Sequence, residues 1–234
     1  MIKEDDKSLI DFLDRFQILS RERHVSQAVN EIDAAERNKI NVLIAFVTRN
    51  PIEGVFRISS KGTELSGLLS SLTADDATAI DEPILASNAL KALWRDALII
   101  PPRFYYPLLR SLHVKSTIKR IELLQRILLH IDVPRRLLLQ QVLLVSSGLV
   151  EDGRCKLDMH GMAVLLSPCV FSQRPAIALN GFPMDTSEPD LGPTGADLPV
   201  DEDMLAVKEV DWMIELFTFM AKQEQRIFTP NVIY

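Results

Sequence analysis

Three cations are spaced so that they could act on an anion. Arg57 follows Gly54 in the segment Ile52-Glu53-Gly54-Val55-Phe56-Arg57-Ile58-Ser59-Ser60-Lys61-Gly62, which is bounded by Pro51 before it and closes on a glycine. Lys91 and Arg95 stand four residues apart, with Asn88 three residues before Lys91. A helix would carry those three on one strip. Like charges at that spacing repel slightly in an isolated helix, and an anionic partner would turn the cost into a gain. Asp96 points about 100° away on the helical wheel and is not the obvious partner. The same residues can also be read as two solvated helix cations and a loop arginine in a surface ion pair.

Self-contained catalytic motifs are missing from the chain. There is no glycine-rich phosphate loop of the Walker or dinucleotide type and no Gly-x-Ser-x-Gly elbow. His24, His113, His130 and His160 are isolated in sequence. Cys155, His160 and Cys169 are near each other but not at zinc spacing. This pattern predicts no metal and no cofactor of the chain's own, and favours a domain that acts on another macromolecule.

The elements that must position these cations read as helices. Residues 8–19 carry an apolar stripe, and a second pattern over residues 25–47 stops at Arg49-Asn50-Pro51. The Arg57 segment reads as a structured loop between helices. A weak helix is expected over residues 63–72. Ser87 is expected to cap a helix over residues 88–98, whose Leu90, Leu93, Trp94, Ala97 and Leu98 follow amphipathic spacing. Further helices are expected over residues 104–112, 115–130 and 134–150, with Pro134 in a tolerated first-turn position. Another, over residues 159–166, is capped by Asp158 and closed by Pro168, and the last spans residues 204–225. No stretch alternates with period two. The fold class is all-α, a single-domain bundle of eight or nine helices.

Composition bounds the function. The chain has 234 residues, 47% apolar and 25% charged, enough for a substantial core. A net charge of -6 disfavours nucleic acid as partner. Two cysteines cannot form a disulfide framework, which points to a reducing, cytoplasmic setting. No segment is long and apolar enough for a membrane span, and the acidic start is unlike a signal peptide. Charge is uneven: residues 89–136 hold ten Lys or Arg against three acids, and residues 180–215 hold ten acids against one lysine. A basic surface of this kind suits an acidic partner, or peripheral contact with an anionic membrane. Residues 173–203 lose periodicity and hold five of the thirteen prolines, so they read as a long loop.

Four blocks in order resemble the Rho GTPase-activating (RhoGAP) family. Glu53-Gly54-Val55-Phe56-Arg57-Ile58-Ser59 is similar to its arginine-finger loop, and residues 89–96, ALKALWRD, to its "LKxFLRE" helix. Val133-Pro134 with the apolar helix that follows is similar to its "LP" helix, and residues 156–168, KLDMHGMAVLLSP, to its "KMTxxNLAxVFGP" helix. The resemblance spans residues 25–228. It implies an N-terminal amphipathic extension over 1–24, a RhoGAP-like domain over 25–228 with the long loop 173–203 inside it, and a tail over 229–234.

The resemblance further implies a domain that completes the active site of a Rho/Rac-type small GTPase in trans. Arg57 would be the finger and Gly54 the flexible point of its loop. Arg95 would brace that loop, and Lys91 would contact the GTPase near its switch regions. GTP and magnesium would belong to the partner. The sequence also departs from the family pattern. Gly161 and Cys169 replace two asparagines, the second of which helps bind the GTPase, and Ser167 replaces the glycine before Pro168. The "LPEP" turn after the Lys/Arg helix is absent. A module that binds a GTPase or another protein without activating hydrolysis is therefore the alternative.

Overall fold

The computed structural model describes residues 33–72, 80–172 and 202–229, with side chains in the last stretch from residue 208. The expected extension over 1–24, the start of the 25–47 pattern and most of the loop 173–203 lie outside the described residues. Nine α-helices and no strand occur among the described residues. They are α1 Ala34–Arg49, α2 Gly62–Ser71, α3 Pro83–Asp96, α4 Pro102–Arg110, α5 Thr117–Leu129, α6 Val133–Asp152, α7 Met159–Val170, α8 Glu202–Lys222 and α9 Glu224–Phe228. A 3-10 turn, Ser111–His113, joins α4 to α5.

Side-chain caps start several of these helices. Asp33, Ser116, Asp132 and Asp158 each accept a backbone N–H from the first turn of α1, α5, α6 and α7 respectively. The last of these is the cap read from the sequence. Helix α3 lies at the centre. Helices α1, α2 and α7 pack on it, and α8 packs on α6 and α7. The buried faces are the apolar stripes: Ile40, Leu43 and Val47 on α1, Leu90, Leu93 and Trp94 on α3, and Leu216, Phe217 and Met220 on α8. Burying each large apolar side chain stabilises the fold by roughly 1.5–3 kcal/mol.

Three expectations change. Helix α3 begins a full turn before Ser87, at Pro83, whose ring suits the first turn. Ser87 is therefore inside the helix and fully buried; its hydroxyl donates to Ile84 O at 2.8 Å, and its oxygen accepts a tertiary bond in place of capping. Helix α7 does not close at Pro168 but continues to Val170. A proline costs the bond to the carbonyl four residues earlier, and that residue, Val164, is on the exposed side where water can serve it. Helix α8 begins at Glu202, so it takes in the last two residues assigned to the long loop.

The connection after α3 is held by Arg135, to which the sequence pattern gives no role. Leu98 adopts a left-handed backbone (φ 48°) as α3 ends. Its carbonyl accepts Arg135 Nε at 3.1 Å, while Arg135 Nη1 donates to Asp132 Oδ2 at 2.6 Å. The Arg135 side chain is 4% exposed. A buried guanidinium needs such partners, and a buried acceptor left without its donor is costly. Arg135→Ala is expected to destabilise the domain by about 2–4 kcal/mol, read as a lower urea midpoint. A midpoint equal to wild type would show that the arginine does not hold this connection.

Candidate functional site

The Arg57 loop leaves α1 at Asn50, whose N–H caps the helix by donating to Phe46 O. Gly54 then turns the chain with φ 90°. Its carbonyl accepts the N–H groups of both Arg57 and Ile58 at 2.9 Å. A side chain at this φ is strained, and a Cβ there would also collide with the Ile58 side chain. Gly54 is thus the corner of a closed turn. The sequence reading assigned it a flexible role, which this geometry replaces, because two converging backbone bonds leave little freedom at that peptide.

Phe56 adopts a left-handed backbone (φ 61°) although it is not glycine. That conformation costs about 1–2 kcal/mol and persists only where the surroundings impose it. Three contacts do so, all from α3. The Phe56 ring is fully buried and stacks on Trp94, with centroids 5.9 Å apart and planes 25° apart. Its N–H donates to Ser87 Oγ at 3.2 Å. Its carbonyl accepts Lys91 Nζ at 2.7 Å. Two residues further on, Asn88 Nδ2 donates to Ile58 O at 2.8 Å and to Ile84 O of its own helix at 2.9 Å. The α3 face that carries Ser87, Asn88 and Lys91 therefore grips the backbone on both sides of Arg57.

Arg57 itself points outward, with a side chain 55% exposed. Its Nη2 lies 3.7 Å from Glu53 Oε1, too long for a hydrogen bond. Surface ion pairs of this looseness contribute little. The guanidinium is thus neither buried nor locked.

The two helix cations divide the work differently from the expectation. The loop is braced by Lys91, which is half-buried. Burial is the main reason its ammonium titrates below the usual lysine range. The neighbouring Cys169 opposes that shift and the Arg95 charge adds to it. Arg95 is exposed and turns to Cys169. Cys169 is 2% exposed, so it lies beneath Arg95 and offers a partner no contact surface, although it stands where the resemblance places a GTPase-binding asparagine. Burial pushes its thiol up in pKa. The charge of Arg95, its hydrogen bond, and then the charge of Lys91 pull the other way.

The fold made by these elements has known counterparts. The structure is similar to the BH domain of GRAF, the GTPase regulator associated with focal adhesion kinase, with a TM-score of 0.63 and 16% identity over 84% of this chain and 96% of that one. It is also similar to human Rho GTPase activating protein 15 (ARHGAP15), with a TM-score of 0.60 and 13% identity over 81% of this chain and 82% of that one. This chain has the RhoGAP fold. No family model matches the sequence, and no curated protein does. The fold is thus shared at very low sequence identity.

Of the expected site residues, the fold brings Gly54, Arg57 and Lys91 into one assembly and sets Arg95 and Cys169 beside it. Ser87 was missed as a participant. Ser87 carried a signal, since it lies four residues before Lys91 on one helix face. Ser87→Ala is expected to destabilise the domain by about 1–2 kcal/mol, by orphaning a buried N–H, and to speed hydrogen exchange at the Phe56 amide. Gly54→Ala is expected to cost about 1–2 kcal/mol through its positive φ, measured by urea unfolding. Unchanged exchange in the first variant, or unchanged stability in the second, would show that the turn is not held as described.

Proposed function

We propose that this domain accelerates GTP hydrolysis by a Rho/Rac-type small GTPase, with Arg57 inserted in trans as an arginine finger. The observation that carries the reading is the pairing of a fixed backbone with an exposed side chain that is only loosely paired. Phe56 is anchored to α3 through its ring, its N–H and its carbonyl. The next side chain stands in solvent. An arginine so presented can enter a neighbour's nucleotide site without first ordering its loop.

Chemistry favours arginine in this role. Charge develops on the phosphate oxygens during hydrolysis, and a guanidinium stays protonated while offering a planar fork of donors. GTP and its magnesium belong to the partner, so the domain performs no reaction on a substrate of its own. Arg95, exposed one turn beyond Lys91 on α3, is the second cation offered to the partner's surface. The two free cysteines, both buried, fit a reducing cytoplasmic setting.

One observation favours a second reading. Cys169 takes the place of an asparagine that the family resemblance assigns to GTPase binding, and it is buried. A domain without that contact could bind a GTPase, or another protein, without speeding hydrolysis. Single-turnover GTP hydrolysis across several Rho-type GTPases decides between the two. Wild type is expected to stimulate at least one, and Arg57→Ala to lower the stimulated rate by about 10²–10³-fold with little change in Kd. Binding with no rate increase would select the adaptor reading. Stimulation by Arg57→Ala equal to wild type would remove the finger.

A further inference from the structure

Glu53 faces two cations at once. Its Oε2 accepts Lys156 Nζ at 2.7 Å, whereas its Oε1 lies 3.7 Å from Arg57 Nη2. The first is a charge-assisted hydrogen bond and the second is beyond hydrogen-bonding distance. Lys156 comes from the connection between α6 and α7, 103 residues away in sequence. That connection is shaped to deliver it. Gly153 and Lys156 both take left-handed backbones (φ 75° and 52°), and Lys156 N–H donates back to Gly153 O at 3.1 Å. The hydrogen bond and charge of Lys156 hold the Glu53 carboxyl below the usual carboxylate range, and Arg57 contributes least to that shift.

We propose that Lys156 is a positioning residue for Arg57: by occupying Glu53 it keeps that carboxylate from capturing the guanidinium. This rests on the reading of Arg57 as a finger. Glu53 and Arg57 are four residues apart on one tight turn, so the carboxylate has a second cation within reach. Without Lys156, both oxygens of Glu53 become available for a bidentate fork with Arg57. The arginine would then be held on its own loop and would have to break that pair to serve a partner. Lys156 thus biases a local competition in favour of release.

The competition makes opposite predictions for its two members. Lys156→Met is expected to lower GTPase stimulation about three- to fivefold, the population shift a surface ion pair can impose. Lys156→Arg is expected to retain stimulation. Glu53→Gln should stimulate at least as well as wild type, and the Glu53→Gln/Lys156→Met double variant should return to the wild-type rate. A role as a mere anchor predicts that Glu53→Gln falls as far as Lys156→Met and that the double variant stays low. Either result overturns the proposal, as does full stimulation by Lys156→Met. Matched circular dichroism melts verify that the variants fold. A second readout needs no GTPase: side-chain nitrogen NMR of Arg57 in the domain alone should show slower guanidinium rotation in Lys156→Met than in wild type. If wild type stimulates no GTPase, the finger reading fails. The NMR comparison still decides whether Lys156 frees Arg57, and unchanged rotation rejects it.

Discussion

The site depends on one residue held in a conformation it would not choose. Phe56 sits in the left-handed region, where a side chain crowds its own carbonyl. Three different interactions overcome that cost. The ring is buried against Trp94, the amide meets a serine hydroxyl, and the carbonyl meets an ammonium. Each alone is of about the size of the strain, and together they exceed it. The anchoring α3 helix is in turn the one on which α1, α2 and α7 pack. The loop's geometry is therefore coupled to the core of the bundle.

The use of Lys91 as a brace has an electrostatic cost. Half-burying an ammonium removes water from it, which is why its proton is held less tightly than usual. The short bond to the Phe56 carbonyl returns part of that loss, since a charged donor bonds more strongly than a neutral one. Arg95, one turn on, sits above a buried thiol that is neutral at physiological pH. This face of α3 thus carries two cations and, in Cys169, a neighbour that does not neutralise them.

Much of this was legible along the chain. The helical periodicity of Leu90, Leu93 and Trp94 revealed the buried side of α3, and Asp158 announced the start of α7, because both signals are local. The breaker-bounded segment around Arg57 marked a structured loop between helices for the same reason. Other assignments failed where a tertiary partner competes for the same group. Ser87 has the chemistry of an N-cap, but Pro83 starts the helix earlier and the hydroxyl serves Phe56. Pro168 has the chemistry of a stop, but the exposed side of α7 tolerates the lost bond. Lys91 and Arg95 were both identified, yet which of them braces the loop depends on the depth of each position, and four-residue spacing cannot reveal that.

The sequence by itself determined an all-helical chain, a breaker-bounded loop bearing an arginine, and a two-cation helix, because periodicity, turn residues and charge spacing act over a few residues. It also carried a resemblance whose fold the structure shares. The tertiary structure decided the rest: that Lys91 turns inward and Arg95 outward, that Cys169 is covered, and that Lys156 reaches Glu53 from 103 residues away. Those facts depend on distances between segments far apart in sequence. Such distances are set by how the helices pack, and no local pattern encodes them.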